Sequence, residues 1–199
     1  MKKISLSFMV VLLLCITLMP TLASAASKKD FRNVNWGMSY TQVKKLEKSK
    51  LANSGKAKGY SFLMYHSTVS RMPAVLTYVF YKDKLVRAVY HVKHKSTDKV
   101  IDKMSDYYSI KRDLLDEYDS SVNGAEIFGH DGSVSNSYSG DDVKALANAE
   151  IYYKTWWVVN KKKTRIELIL DSEEGPTRLR VLYTDTKSNI DKQLEIDGA

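Results

Sequence analysis

Alternation of apolar and polar positions, with a high content of branched and aromatic side chains, predicts strands in two separate groups along the chain. The short polar break at residues 82–84 predicts a hairpin between two strands of the first group. The six predicted strands are residues 60–69, 74–81 and 85–92 in the first half and residues 149–160, 164–170 and 177–184 in the second.

A helix is predicted in front of the first group of strands. Ser39 is placed to accept a hydrogen bond from the backbone of Gln42, whose side chain can return a bond to the backbone of Ser39, and this pair is a capping box. The helix is expected to continue to about Ser49, with Val43 and Leu46 facing inward. Residues 53–59, with two glycines and an asparagine, are expected to form a loop.

A second, longer helix is predicted in front of the second group of strands. Its apolar positions recur at steps of three and four, which is the period of an amphipathic helix, and Ile101 and Leu115 are expected to widen the apolar stripe. Residues 129–142, crowded with Gly, Ser, Asp and Asn, are expected to form a long loop. The positions that define the stripe are Val100, Met104, Tyr107, Ile110, Leu114 and Tyr118.

The repeated order of elements predicts an α+β fold of two tandem units, each a helix plus a three-stranded antiparallel meander. The expected units are residues 27–95 and 96–186, and a polar tail follows at residues 187–199. The last strands of the two units share an apolar-Arg-apolar-apolar-Tyr pattern, at Val86–Tyr90 and Leu179–Tyr183. Chance and duplication both account for this similarity.

The first 26 residues have the pattern of a signal peptide. A positive start at Lys2 and Lys3 precedes an apolar run over residues 8–18, and small residues then mark a cleavage site at Ala25–Ala26. A membrane anchor and a lipid-modified Cys15 are the two alternatives. The expected location is therefore outside the cell, with association to the cell wall included.

Charge and cysteine content narrow the chemistry of the exported chain. Cys15 is the only cysteine and lies in the signal, so neither a disulfide nor a thiolate metal site is expected. The full chain has a formal net charge of +8, and removal of Lys2 and Lys3 leaves about +6. Such a surface is weakly attracted to anionic cell-envelope polymers or acidic proteins, whereas no nucleic-acid motif accompanies the charge.

Residues that could catalyse a reaction are few. His91 and His94, three positions apart at the end of a strand, are expected to point to opposite faces. The loop around His130 contains an aspartate and a serine, but neighbours in sequence seldom converge as a catalytic triad does. We expect neither a cofactor nor a metal site. We also expect the protein to be non-catalytic. The alternative is a secreted hydrolase that uses His130 with nearby acids.

Aromatic residues of one strand are the candidate binding site. Alternation places Tyr152 and Trp156 on one face and Tyr153 and Trp157 on the other, so one pair is expected on the open side of the sheet. Tyr and Trp are enriched at protein contact sites and also stack on sugar rings. The basic run Lys161, Lys162 and Lys163 is expected in the next turn and adds electrostatic attraction.

The segment Trp36-Gly37-Met38-Ser39, followed by Gln42-Val43, resembles the start of BamE-like domains, in which a Gly-Met-(Ser/Thr) sequence caps a helix on a small antiparallel sheet. Two such units in tandem are similar to the β-lactamase-inhibitor-protein family, whose secreted members bind through an aromatic sheet surface. The chain also resembles secreted Gram-positive proteins that begin with a similar segment. The resemblance covers under ten residues and implies fold and export, without a transferable partner.

Together these observations predict a secreted binding or envelope-associated protein that acts through an aromatic sheet surface. Its expected partner is another protein or an anionic polymer of the cell envelope, with no nucleic acid and no transmembrane span after cleavage. A binder of cell-wall glycan or teichoic acid is a further alternative, for which retention on purified walls would be released by salt.

Overall fold

The protein is built on one antiparallel sheet of an α+β fold. The computed structural model describes residues 29–57, 59–118, 124–129, 134–135, 141–173 and 175–192. The helices that lie wholly in these ranges are α1 (Tyr40–Leu46), α2 (Val100–Tyr118) and α3 (Asp142–Ala147), and residues 190–192 at the end of the last range are also helical. The strands are β1 (Leu51–Ala57), β2 (Tyr60–Val69), β3 (Met72–Tyr81), β4 (Lys84–Val92), β5 (Gly124–Gly129), β6 (Val134–Ser135), β7 (Ile151–Val159), β8 (Thr164–Asp171) and β9 (Arg178–Asp185).

The strands follow the spatial order β1-β2-β3-β4-β9-β8-β7-β5-β6. The first group is therefore a meander of four strands, and its last strand pairs with the last strand of the second group. Two separate three-stranded meanders, as the sequence predicts, are not found. The physical reason is that the outer edges of β4 and β9 would each leave a row of unpaired backbone groups, which their mutual pairing satisfies.

The pairing of β4 with β9 has a local two-fold symmetry, in which residues at equivalent positions of the two sequence patterns lie at equal distances from the centre of the pairing. Arg87 lies opposite Thr184, and Arg180 lies opposite His91. The two arginines occupy equivalent positions in the apolar-Arg-apolar-apolar-Tyr patterns. The centre of this local symmetry is the pair Val89 and Leu182. The short similarity between the two strands thus coincides with their geometric relation in the sheet.

The loop predicted at residues 53–59 is wrong, because Leu51–Ala57 forms the edge strand β1. Most side chains of this strand are exposed, and an edge strand of polar residues shows no apolar alternation. Gly55 is required by its neighbour on β2, since a Cβ atom there would lie 2.6 Å from the Phe62 ring. The aromatic ring covers the glycine and takes the place of its missing side chain.

Helix α1 begins as predicted. The Ser39 hydroxyl accepts from the backbone N–H of Gln42 at 3.3 Å, and the Gln42 side chain accepts from the backbone N–H of Ser39 at 2.9 Å. Val43 is fully buried as predicted, whereas the prediction that Leu46 faces inward is wrong, because its side chain is exposed at the last position of the helix. The helix ends at Leu46 and not near Ser49, because Glu47 takes an extended conformation.

Helix α2 packs its predicted stripe against the sheet. Met104, Tyr107, Ile110 and Leu114 are buried in the core. Ile101 does not widen the stripe, since 51% of its surface is exposed. The apolar character of a single position did not identify which side of the helix it occupies.

The predicted long loop at residues 129–142 is replaced in part by regular structure. Strands β5 and β6 pair with each other, and β5 also pairs with β7. Helix α3 begins at Asp142, and the side chain of Asp141 caps it by accepting from the backbone N–H of Lys144 at 3.1 Å. The same Asp residues that favour a loop also cap a short helix.

One face of the sheet, here called the core face, carries the hydrophobic core together with α1, α2 and α3. Its largest buried side chains alternate along the strands, as expected for a sheet that is covered on that side. They include Leu63 on β2, Leu76, Tyr78 and Phe80 on β3, Trp157 on β7, Ile166, Leu168 and Leu170 on β8 and Leu179 on β9.

The segment before α1 joins the two halves of the core face. The ring of Phe31 lies 5.8 Å from that of Tyr90 on β4 and 4.7 Å from that of Tyr183 on β9. A few residues later, the indole N–H of Trp36 donates to the hydroxyl of Thr164 on β8 at 2.9 Å. Both strand groups are therefore held by the same short piece of chain.

A buried carboxylate at the end of α1 is satisfied by three donors. Glu47, whose side chain is 4% exposed, accepts from the Tyr78 hydroxyl at 2.7 Å and from the backbone N–H of Ser49 at 2.9 Å. Arg32 lies 3.5 Å away. Burial by itself would raise the pKa of Glu47, but the two hydrogen bonds and the Arg32 charge outweigh it and lower the pKa.

Replacement of Phe31 by alanine is expected to lower the free energy of unfolding by about 3 to 5 kcal/mol, since it removes a buried ring from the contact between β4 and β9. Urea denaturation measures this loss. Asn33→Ala, two positions away on the exposed side of the same segment, serves as the matched control and should change stability by no more than about 0.5 kcal/mol. Equal losses for the two variants would contradict the bridging role of the ring.

Glu47→Gln should destabilise the protein near neutral pH and lose this effect in acid. Because the pKa of Glu47 is lower in the folded state, its stabilising contribution is present above the unfolded value of about 4.3 and disappears as the pH falls through the folded pKa. Unfolding in urea at a series of pH values measures the difference from the unmodified protein. The exposed Glu150→Gln variant is the control, and a difference for Glu47→Gln that does not vary with pH would contradict the prediction.

Candidate functional site

The sheet has a second face, here called the open face, which points away from α1, α2 and α3. The short helical segment at residues 190–192 lies on this side, where Asp191 pairs with Arg87 and Arg165. The pleat assigns alternate residues to this face, and the pairing register places neighbours on it side by side. The buried apolar residues of α1, α2 and α3 all belong to the core on the other side. Members of the open face on the central strands are Thr77, Val79, Val89, Leu182, Glu167 and Ile169.

The aromatic residues of β7 are divided between the two faces. Tyr153 and Trp157 are 3% and 0% exposed and belong to the core. Tyr152 and Trp156 are half-buried and lie on the open face. The structure therefore places one pair on each side of the sheet, and of the four residues predicted to contact a partner, Tyr153 and Trp157 are inaccessible to it.

The buried pair is fixed by contacts within the core. The Tyr153 hydroxyl donates to a carboxylate oxygen of Asp142 on α3 at 2.6 Å. Burial first, and this bond second, raises the pKa of Tyr153 above its usual range. The Tyr107 ring of α2 lies 5.7 Å from the Tyr153 ring. These contacts hold Tyr153 in the core, out of reach of a partner on the open face.

The outer pair belongs to an aromatic row that crosses from β5 to β7. Phe128 lies directly opposite Tyr152 in the register, and their rings are stacked with centroids 5.0 Å apart and planes 11° apart. The ring of Trp156 lies 6.5 Å from that of Phe128. Phe128 was not among the predicted site residues, since its pairing with β7 depends on a strand that the sequence did not indicate.

Charged side chains of β7, β8 and β9 form ion pairs beside this row. Glu167 lies 2.7 Å from Lys154 and 3.1 Å from Arg165. Lys154 belongs to the neighbouring strand and Arg165 to the same strand two positions earlier, so all three point to the open face. One carboxylate thus holds two cations in place.

A second carboxylate, Asp171 at the end of β8, is shared in the same way. Arg178 lies directly opposite Asp171 in the pairing of β8 with β9, and its guanidinium is 3.4 Å from the carboxylate. Arg180 forms a further ion pair with the same group. The side chain of Asp171 is 5% exposed, whereas that of Arg180 is 26% exposed. The carboxylate is therefore buried, and the two guanidinium groups lie closer to the solvent.

The third shared carboxylate comes from the end of the described chain. Asp191 forms ion pairs with Arg87 of β4 and Arg165 of β8. Burial alone would raise the pKa of Asp191, but the two arginines outweigh it and lower the pKa. For Arg165, burial opposes the charged form, while Asp191 and Glu167 more than compensate and raise its pKa. The cations of the open face are therefore fixed by their acidic neighbours.

Two adjoining clefts lie between the aromatic row and these ion pairs. The wider, of about 420 Å³, is lined by residues that include Tyr152, Lys154 and Arg180. The narrower, of about 200 Å³, is lined by residues that include Tyr152, Lys154 and Trp156. Because Tyr152 and Lys154 line both, the clefts form one surface, here called the β7 groove.

A larger cleft of about 520 Å³ lies at the other end of the sheet, between α1 and β2. In its lining, Asp83 accepts from the backbone N–H of Tyr40 at 3.0 Å and Lys56 lies 6.0 Å from the centre of the Tyr40 ring. It offers no row of aromatic side chains beside paired cations. The β7 groove is therefore the better candidate site.

The predicted basic run lies outside the groove. Lys161, Lys162 and Lys163 are exposed in the turn between β7 and β8, at the opposite end of β7 from Tyr152. At about 3.3 Å per residue, some 30 Å separate Tyr152 from this turn. A small ligand at Tyr152 does not reach these lysines, so their electrostatic contribution stays a prediction for larger partners.

Some of the remaining predicted positions lie outside the described residues. These are the cleavage site Ala25–Ala26 and the loop residue His130. His91 lies on the open face opposite Arg180, and His94 bonds a carboxylate oxygen of Asp106 at 3.0 Å. Among the described residues, no three His, Cys, Asp or Glu side chains could hold a metal ion.

No helix in the described part of the chain is long and apolar enough to cross a membrane. Comparison with known proteins found no matching family model, curated protein or solved structure. The geometry of the open face is therefore the basis for a functional proposal.

The two tryptophans of β7 should respond very differently to substitution. Trp157→Ala removes a fully buried indole and is expected to cost about 3 to 5 kcal/mol of unfolding free energy. Trp156→Ala removes a half-exposed indole of the open face and should cost no more than about 1 kcal/mol. Thermal and urea unfolding of both variants measure the difference. A larger loss for Trp156→Ala would show that the assignment of the two faces is wrong.

Proposed function

We propose that this chain is an exported, non-catalytic binding protein that holds its partner on the open face, beside Tyr152 and Trp156. The observation that carries the proposal is the row of half-buried aromatic rings next to fixed cations in the β7 groove. Trp, Tyr and Arg are the residues most enriched among those that dominate binding energy at interfaces.

Fixed side chains support binding because they lose little conformational freedom when a partner arrives. Lys154 and Arg165 are each held by Glu167, and Tyr152 is stacked on Phe128. Flexible side chains would each cost about 0.5 to 1.5 kcal/mol of ordering on binding. The groove is therefore preorganised for recognition.

The same ion pairs argue against acid–base catalysis by the two shared carboxylates of the groove. A catalytic carboxyl group must meet its substrate within hydrogen-bond distance. Glu167 and Asp171 are 8% and 5% exposed and are each engaged by two cations. Their arrangement is suited to positioning the cations, and the proposal assigns no reaction to them.

Export enters the proposal from the sequence, through Lys2, Lys3, the apolar run that follows and the small residues before Ala26. We further propose that the two halves of the chain descend from one duplicated unit. Two observations support this origin: the symmetric pairing of β4 with β9, and the Arg and Tyr residues at equivalent positions of the two strands. A binder built from two joined units agrees with the tandem organisation that the resemblance implies.

The proposal is tested by affinity capture with the chain lacking residues 1–26. Immobilised protein should retain a partner from the envelope fraction of the producing organism, and Tyr152→Ala and Trp156→Ala should each lower the retained amount about tenfold or more, because each removes an aromatic anchor.

Tyr81→Ala is the matched control for this capture. Tyr81 pairs with Tyr60 in a cross-strand aromatic contact on the same face, but on the other half of the sheet. Capture by this variant should equal that of the unmodified protein. Retention that is unaffected by Tyr152→Ala and Trp156→Ala would refute the proposal.

A further inference from the structure

The lining of the β7 groove is amphipathic. On one side it presents the aromatic rings of Phe128, Tyr152 and Trp156, and on the other the donors of Lys154 and Arg180. An apolar ligand would exclude water from the N–H groups of these cations that their ion pairs do not use, and a simple ion would leave the rings without contact. The groove thus fits a ligand that carries an apolar face and polar groups on the same unit.

The charges that line the groove are equal in number. The cations among the lining residues are Lys154, Arg165 and Arg180, and the carboxylates are Glu167, Asp171 and Glu173. A polymer with regular negative charges gains most from an excess of cations, which the lining does not provide. The equal number of cations and carboxylates in the lining therefore favours a neutral ligand.

The cations nevertheless remain the accessible donors. Side chains of Lys154 and Arg165 are 29% and 35% exposed, whereas Glu167 beneath them is 8% exposed. Ammonium and guanidinium groups donate and do not accept, so the ligand must supply acceptor oxygens. Hydroxyl groups and amide carbonyls do this without bringing negative charge.

A saccharide unit combines these properties. Its ring has a face of C–H groups that packs on an aromatic ring and a rim of hydroxyl oxygens that accept hydrogen bonds. The wider cleft of about 420 Å³ falls within the range of small-ligand sites, about 300 to 1,000 Å³. The narrower cleft continues it along β7, as a chain of linked units requires.

We propose that the β7 groove binds a neutral saccharide chain, with sugar rings on Tyr152 and Trp156 and hydroxyl oxygens on Lys154, Arg165 and Arg180. This inference rests on the proposed binding function and specifies the class of its ligand. The saccharide is either a free oligosaccharide or part of a cell-wall glycan, since both present the same chemistry.

Calorimetric titration of the chain lacking residues 1–26 tests the proposal. The probes are chitotetraose, cellotetraose and maltotetraose, with insoluble chitin and purified cell walls as the polymeric counterparts. At least one of these saccharides, soluble or polymeric, should bind, and Trp156→Ala should weaken this binding about tenfold; binding of none of them would overturn the proposal. Tyr81→Ala should leave it unchanged. Binding of a soluble tetrasaccharide identifies a free-chain ligand, while binding that requires the polymer identifies a wall glycan.

Salt dependence separates a neutral saccharide from an anionic polymer. Between about 50 mM and about 500 mM salt, the affinity for the saccharide should change less than about twofold, because no net charge is neutralised. Poly(glycerol phosphate) is the anionic comparison. Preference for this polymer, with release by salt, would overturn the proposal.

The capture experiment and the titration fail in distinguishable ways. If envelope capture depends on Trp156 but no saccharide binds or competes, the saccharide inference is wrong and the binding function stands. If capture does not depend on Trp156, the binding function itself is wrong. Circular dichroism of each variant confirms that it is folded before either result is interpreted.

Discussion

Antiparallel pairing of β4 with β9 is the constraint on which the rest of the structure depends. It joins two groups of strands into one sheet, which has two continuous faces. Helices α1, α2 and α3 cover one side, and the alternation of side chains then decides which residues are buried with them. Phe31 strengthens the junction from the covered side, through its contacts with Tyr90 and Tyr183.

The two sides of the junction are stabilised by different means. On the core face, aromatic and aliphatic side chains are removed from water, which is the main source of stability. On the open face, carboxylates such as Glu167 and Asp171 are each placed between two cations. A buried carboxylate is costly unless it is paired and hydrogen-bonded, and sharing one among two cations compensates the cost while leaving the cations accessible.

Much of the fold could be predicted from local patterns. The capping box at Ser39, the stripe of α2 and the six main strands depend on neighbours in sequence, and the structure confirms them with shifts of a few residues at their ends. The edge strand β1 could not be predicted in this way, because its side chains are exposed and its existence depends on pairing with β2. The joining of the two meanders likewise depends on contacts between distant parts of the chain.

For the candidate site, alternation in β7 predicted that its aromatic residues divide between two faces, but it could not indicate which pair is buried. That choice follows from the register with β8, which no local pattern contains. The charged residues of the groove were missed, although Arg165 and Glu167 alternate with the buried Ile166 and Leu168. This alternation is the signal from which an accessible charged face could have been recognised.

The sharing of carboxylates also restricts how the open face can vary among proteins of similar structure. Arg165 takes part in ion pairs with both Glu167 and Asp191, and Asp191 extends the connection to Arg87. Loss of one member removes one of the counterions that its neighbours share, so the energetic effects of substitutions at these positions are coupled. The aromatic row has no such shared counterions. Ligand preference can therefore diversify one ring at a time, whereas a substitution in the charged framework affects several ion pairs at once.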